Sequence, residues 1–262
     1  MTTPAPVRIG IAGALGRMGQ AVWAQAQGVI AVGGVADRPE TRGSALGELT
    51  LTDTRDLIGD CDVIIDFSTP EASADLADQA FERGRCALVI GTTGLSGEQT
   101  ARVARAARRV AVVMSGNFGL GVNVLAGLVE QAAARLTAQG WDIEIVEAHH
   151  RRKVDAPSGS ALMLGEAAAR GRGARLSDKA VRGRDGLTGE RPVGAIGFSS
   201  IRGGGIVGEH SVILASEDEI LTLSHSARDR GLFAKGAILA ARWAAAKPAG
   251  LYDMMDVLGF RD

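Results

Sequence analysis

Apolar runs of five to eight residues recur along the first 115 positions. Each is stopped by small or polar residues and followed by helix formers. Val7–Ala12 opens into Gly13-Ala14-Leu15-Gly16-Arg17-Met18-Gly19, and residues 15–27 carry a helix pattern. Val29–Ala36 stops at Asp37-Arg38-Pro39. Val63–Phe67 ends at Ser68-Thr69-Pro70-Glu71, where Thr69 suits an N-cap and Pro70 the first helical position. Cys86–Ile90 is closed by Gly91-Thr92-Thr93-Gly94, and Ser96 with Gln99 predicts a capping box. Val110–Met114 is closed by Ser115-Gly116-Asn117-Phe118. Strands alternating with helices of this length predict an α/β fold with a doubly wound parallel, Rossmann-like sheet.

The rhythm changes near residue 120. A long helical segment is expected over Val122–Ala138, a strand over Trp141–Ala148 and a helix over Gly159–Ala169. Residues 171–192 show no period and many Gly and Arg, which predicts a long loop. Val193–Ile201, Ile206–Ser216 and Glu219–Ser226 then read as successive strands, with Glu217-Asp218-Glu219 as a hairpin turn. Strands without intervening helices predict a second, α+β domain on a mixed or antiparallel sheet. Leu232–Ala246 reads as an Ala-rich helix, and Leu251–Phe260 as an apolar tail that packs. The expected layout is a dinucleotide-binding domain over 1–121 and a substrate-binding and oligomerisation domain over 122–231. A helix and tail over 232–262 return to the first domain.

Composition narrows the class. A chain of 262 residues, 46% hydrophobic and 23% charged, suits a globular protein of one large or two modest domains. A formal net charge of −1 argues against a general nucleic-acid partner. Cys61 and Cys86 adjoin apolar runs and read as small core residues with reduced thiols. The N-terminus lacks a charged-then-apolar signal pattern and no 18-residue apolar stretch occurs, so a cytoplasmic enzyme without a membrane partner is expected.

Two stretches carry candidate chemistry. Gly13, Gly16 and Gly19 lie between a strand and a helix, and Asp37 ends the next strand. That is the order of a dinucleotide site, in which glycines let backbone approach a pyrophosphate and the acid accepts from ribose hydroxyls. The spacing is Gly-x-x-Gly-x-x-Gly, and the same glycines would also serve simple packing. Asp37 favours NAD, while Arg38 can meet a 2′-phosphate or lie over adenine. The loops Gly91–Thr93 and Ser115–Phe118 follow sheet strands, where open α/β sheets bind ligands. The second stretch is Glu147-Ala-His149-His150-Arg151-Arg152-Lys153-Val-Asp155-Ala-Pro157-Ser158-Gly159-Ser160. A strand delivers imidazoles and cations to its end, and a helix N-terminus follows. Imidazoles exchange protons near neutral pH, and the cations and helix end attract an anion. The site suits an anionic substrate that gains or loses a proton. Histidines without a nearby cysteine or a helical i, i+4 pair do not make a metal site. His210 and His225 lie in strand-like segments and read as structural.

These motifs resemble the dihydrodipicolinate reductase family, from Ile9–Gly19 through the 147–160 block to Gly250–Leu258; Ile196–Phe198 and Gly203–His210 add to the match. The resemblance implies a two-domain reductase, usually a homotetramer built through the second domain's sheet. It implies hydride transfer from NADH or NADPH to a cyclic unsaturated dicarboxylate, after loss of a 4-hydroxyl as water. It makes Gly13, Ala14, Leu15, Gly16, Arg17 and Met18 the pyrophosphate loop and Asp37 and Arg38 the ribose and phosphate readers. Gly91, Thr92, Thr93, Ser115, Gly116, Asn117 and Phe118 line the nicotinamide side. It makes His149 the proton donor and Lys153 a second acid, with His150, Gly159 and Ser160 contacting substrate. Ser160 stands where Thr is common, and Ser115-Gly116 where the loop is often Ala-rich. Two other classes fit the same pattern: a non-catalytic NAD(P) sensor, and a two-domain amino-acid dehydrogenase such as an aspartate dehydrogenase.

Overall fold

Gly13 has φ +73°, and a Cβ there would lie 2.5 Å from the Phe67 carbonyl oxygen, so the first strand can turn here only on a glycine. That turn starts the first of two compact units found in a computed structural model that describes residues 6–229 and 231–261. Residues 1–5, 230 and 262, which the expected spans include, lie outside the described residues. Unit 1 comprises residues 1–119 and 231–262, and unit 2 comprises residues 120–230.

Unit 1 runs β1 (Arg8–Ala12), α1 (Arg17–Ala26), β2 (Ala31–Ala36), β3 (Ala45–Leu46), β4 (Leu49–Thr52), α2 (Thr54–Asp60), β5 (Val63–Asp66), α3 (Pro70–Arg83), β6 (Ala87–Ile90), α4 (Gly97–Ala106) and β7 (Ala111–Met114). These strands form an eight-stranded sheet ordered β13-β7-β6-β5-β1-β2-β4-β3, in which β13 is Gly250–Tyr252 from the tail. Every pair is parallel except β3–β4. β5 and β6 are buried at every position, as strands covered on both faces must be. Thr69 caps α3 with Pro70 at its first position, and Ser96 and Gln99 close the capping box of α4. Cys61 and Cys86 are buried free thiols.

Unit 2 runs α5 (Leu120–Arg135), β8 (Asp142–His149), α6 (Gly159–Gly171), α7 (Leu176–Lys179), β9 (Ala180–Val181), β10 (Ile196–Arg202), β11 (Glu209–Ala215) and β12 (Ile220–Ser226). Its sheet has the order β12-β11-β8-β10-β9 and is mixed: β8 pairs in parallel with β10 and antiparallel with β11. α5 packs on α6 and β12, and α6 on β8 and β10. The chain then returns to unit 1 with α8 (Gly231–Ala244), which packs on β5, β6 and β7, followed by β13 and α9 (Met254–Val257). The α/β class, with a parallel sheet followed by a mixed one, is as expected.

Residues 171–192 correct the expected loop. α6 extends to Gly171, α7 follows, and Ala180–Val181 pairs with β10 at Ile196–Gly197. The irregular stretch beyond is fastened by its arginines. Arg184 donates to Glu144 at 2.9 and 3.0 Å. Arg191 donates to Glu144, Asp142 and the carbonyls of Ile143 and Ala195.

Candidate functional site

In unit 1 a cavity of about 410 Å³ opens beside the glycine turn, lined by Gly13, Leu15, Gly16, Asp37, Arg38 and Thr69 among others. The backbone N–H groups of this loop are largely committed. Ala14 donates to the Ala36 carbonyl at 3.0 Å, Leu15 to Asp37 Oδ2 at 2.8 Å, and Gly16 to the Gly13 carbonyl at 3.0 Å. What remains is the N-terminus of α1. Its N-cap, Gly16, offers no side chain, whereas α2, α3, α4 and α6 are each capped by one. The first N–H groups of a helix have no partner within it, so Arg17 and Met18 present donors and the positive end of the helix dipole to an anion. Gly19 serves packing instead: a Cβ there would lie 2.1 Å from the Gly13 oxygen. At Gly16, which lines the cavity, a Cβ would lie 3.2 Å from that oxygen and, among the described residues, within 4 Å of nothing else beyond its chain neighbours. This cradle fits a dinucleotide pyrophosphate.

Asp37 is only partly available to a ribose, since its Oδ1 also accepts from the Arg38 N–H at 2.8 Å. Arg38 is exposed and flanked by two carboxylates, Asp37 and Glu40, each at 3.6 Å. The two expected nicotinamide loops lie together. A Cβ on Gly116 would be 3.9 Å from Thr93, and one on Gly91 would lie 2.1 Å from the Phe67 ring, so that ring packs directly on Gly91. Thr92 is buried and donates to Asp66 at 3.2 Å. Ser115 and Asn117 close their own turn, with Ser115 Oγ donating to the Asn117 carbonyl at 2.8 Å. Phe118 is 1% exposed and stacks edge-on against Phe67, at 5.9 Å between centroids, so its ring is a packing residue. Asp66 joins the loops from beneath, accepting from Ser68, Ser73 and Thr92; burial pushes its carboxyl up despite those bonds.

In unit 2 the end of β8 carries the histidines. His149 is buried and His150 half-buried, on opposite sides of the strand. His149 Nδ1 lies 2.5 Å from Glu147 Oε2. Glu147 is 1% exposed and also accepts from both terminal nitrogens of Arg202, at 2.9 and 2.7 Å, and from the Ser158 N–H at 3.2 Å. Burial opposes its ionisation, but hydrogen bonds from Arg202, Ser200 and His149 outweigh that and hold its carboxyl at about 2. Lys153 Nζ pairs with Asp155 at 2.8 Å, while Arg151 and Arg152 are exposed. Ser158 caps α6 by accepting from Ala161, a Cβ placed on Gly159 would meet none of the described residues within 4 Å beyond its chain neighbours and its own helix backbone, and Ser160 sits in the first turn. His210 stands beside both Ser158 and His149. Its Nε2 is 3.1 Å from Ser158 Oγ, and its ring stands edge-on to His149 at 5.2 Å. Burial first, then His149, lowers its pKa to about 4, so it is neutral near pH 7. Among the described residues, no three or more His, Cys, Asp or Glu side chains are placed to share a metal ion, and no helix is long and apolar enough to cross a membrane.

Residues 7–118 match the family model for the dihydrodipicolinate reductase N-terminus, and residues 121–258 match that for its C-terminus. The chain belongs to the dihydrodipicolinate reductase family. A 4-hydroxy-tetrahydrodipicolinate reductase of Caulobacter vibrioides is 60% identical over 256 residues, covering 98% of each chain. One from Rhizobium rhizogenes is 50% identical, covering 97% of each. A dipicolinate-bound dihydrodipicolinate reductase from Paenisporosarcina sp. TG-14 has the same fold, with TM-score 0.78 at 24% identity over 96% of this chain and 99% of that one. Aspartate dehydrogenase from Thermotoga maritima is a more distant likeness of fold, with TM-score 0.51 at 10% identity over 93% and 98%.

For this dihydrodipicolinate reductase family chain, sequence reasoning missed Phe67, Ser68 and Thr54 as cavity-lining residues, and Arg202 and His210 as neighbours of His149. Phe67 and Ser68 follow a strand end, which was a usable signal. Arg202 and His210 had none, because each meets β8 only through sheet pairing with strands more than 50 residues away.

Proposed function

We propose that this protein is a 4-hydroxy-tetrahydrodipicolinate reductase of lysine and diaminopimelate biosynthesis, working in the cytoplasm with NADH or NADPH. Unit 1 holds the nucleotide, with its pyrophosphate at the α1 N-terminus and its adenosine ribose beside Asp37. Gly91–Thr93 and Ser115–Phe118 border the nicotinamide. Unit 2 holds the dicarboxylate through Lys153, His150, Gly159 and Ser160. A bound dihydronicotinamide supplies the hydride. Hydride addition leaves the substrate ring electron-rich, and His149 hands it a proton as general acid. Lys153 offsets the carboxylate charge and serves as a second acid. Two carboxylates flanking Arg38 weigh against a 2′-phosphate, so NADH is the favoured nucleotide and NADPH remains usable.

The observation that carries this reading is the buried His149, held by a carboxylate at the strand end and followed by Lys153. A non-catalytic nucleotide sensor has no use for such a proton donor. The homotetramer is proposed through the sheet face opposite α5 and α6. It carries Val146, Ile201, Ile213 and Ile220, of which Ile201 and Ile220 are 52% and 69% exposed. Light scattering tests the tetramer. The activity test supplies pyruvate, aspartate semialdehyde and the upstream synthase, then follows nucleotide absorbance. A fall that requires this protein supports the assignment. No fall, or oxidation of reduced nucleotide with amino-acid precursors instead, rejects it.

A further inference from the structure

Glu147 breaks the pattern of its own strand. The buried face of β8 carries Ile143, Ile145, Glu147 and His149, so a carboxylate sits where two isoleucines lead. A buried charge persists only when its lone pairs are answered. Here Oε1 accepts from Arg202 Nη2 and the Ser158 N–H, while Oε2 accepts from Arg202 Nη1 and faces His149 Nδ1. Arg202 stands opposite His149 in the β8–β10 register and Ser200 opposite Glu147, so the guanidinium reaches diagonally to grip the carboxylate with both nitrogens. Its Nη2 also donates to the Asp155 carbonyl at 2.7 Å, which ties down the turn bearing Lys153.

An ionised carboxylate can only accept, so the proton between Glu147 and His149 belongs to Nδ1. Neutral His149 is then the Nδ1–H tautomer, and Nε2 is the nitrogen that gains and loses a proton. Gly208 leaves room at that atom: a Cβ there would stand 3.1 Å from Nε2. The titratable and charged groups around the ring are Glu147 on β8, Arg202 on β10 and His210 on β11. Lys153 and Asp155 lie in the following turn, and His225 on β12 pairs with His210 one strand further.

We propose that Glu147 and Arg202 are positioning residues: the carboxylate holds His149 in the Nδ1–H form so that Nε2 delivers the proton, and Arg202 locks the carboxylate. The proposal rests on the reading of the chain as a reductase with His149 as donor. Ring ¹⁵N spectra of the wild-type protein test the tautomer without any activity measurement. Nδ1 protonated and Nε2 bare above the titration is expected; the reverse overturns the assignment. Glu147→Gln tests the role. It should lower kcat by about 100-fold, within the range for a disabled general acid. Arg202→Lys, a charge without the fork, should retain more activity than Arg202→Ala. NADH affinity should stay within about twofold in each variant, since the nucleotide is assigned to the other unit. Unchanged kcat in Glu147→Gln, or no advantage of Arg202→Lys over Arg202→Ala, overturns the positioning role. A wild-type protein with the expected tautomer but no nucleotide oxidation instead overturns the reductase reading.

Discussion

Replacing His210 by glutamine should remove an acid sensitivity from unit 2. The imidazole is 5% exposed and its Nδ1 has no hydrogen-bond partner among the described residues. Burial, then the neighbouring His149, drives its pKa from 6.5 to about 4, with His225 and Lys153 adding to the shift and Glu147 opposing it. The unfolded chain takes up this proton as pH falls through 6.5, while the folded chain refuses it until about 4. Across that window the unfolded state binds more protons, so stability falls as pH falls. The contribution is complete above 6.5 and gone once pH passes below about 4. At about 1.36 kcal/mol per pH unit the difference amounts to about 3 kcal/mol. The glutamine amide would keep an N–H near Ser158 and carry no titrating group. The assay is urea unfolding at pH 7 and pH 4, with Trp141 as reporter in a background where Trp23 and Trp243 are replaced by phenylalanine. Wild type should lose about 3 kcal/mol more than His210→Gln between the two pH values. Parallel losses would show that the His210 environment tolerates the charge, and the argument from burial would fail.

Gly16→Ala and Gly19→Ala should separate binding from packing. The first should keep its melting temperature within a few degrees yet weaken NADH by at least about tenfold, because its methyl enters the cavity. The second should destabilise unit 1 by about 1–3 kcal/mol, because its methyl meets the Gly13 carbonyl. Calorimetry and NADH titration check both, and equal binding losses would erase the distinction. Arg38→Ala should reduce kcat/KM for NADPH more than for NADH, with the wild-type ratio within about a hundredfold; equal losses would show that Arg38 does not read the phosphate. Lys153→Ala should raise the Kd for pyridine-2,6-dicarboxylate by at least about 30-fold, the usual scale for losing a charged partner. NADH affinity should be unchanged, and tight binding by that variant would move the anion pocket to Arg151 or Arg152.

What the sequence disclosed was what local chemistry encodes. Thr69-Pro70 and Ser96…Gln99 announce their helices because a cap is satisfied within three residues. The run of apolar strands in the first half announces a sheet buried on both faces. The stretch from residue 45 to 60 is silent although it holds β3, β4 and α2. The strands are two and four residues long, too short for a period, and the Asp53 cap of α2 stands among other acids and threonines. The segment 171–192 reads as a loop because its arginines resemble a solvated face, and their acceptors on β8 lie about 40 residues or more upstream. Asp37 reads as a ribose ligand, and half its capacity goes to the glycine turn itself. That second duty depends on β1 and β2 lying side by side.

The centre of unit 2 shows why the remainder needed the fold. β8 is the strand where the sheet changes from parallel to antiparallel pairing, so the end carrying Glu147 and His149 receives different neighbours on its two sides. β10 contributes a fixed cation in Arg202, and β11 contributes a neutral imidazole in His210. Arg202 pairs with Glu147 and Lys153 with Asp155, so both cations beside His149 are already held by carboxylates of this chain. The dicarboxylate proposed for this site would meet cations whose positions are fixed before it arrives. That arrangement needs one mixed junction and side chains drawn from three strands, together with a turn of fixed geometry. None of it is visible in the pattern of a single strand.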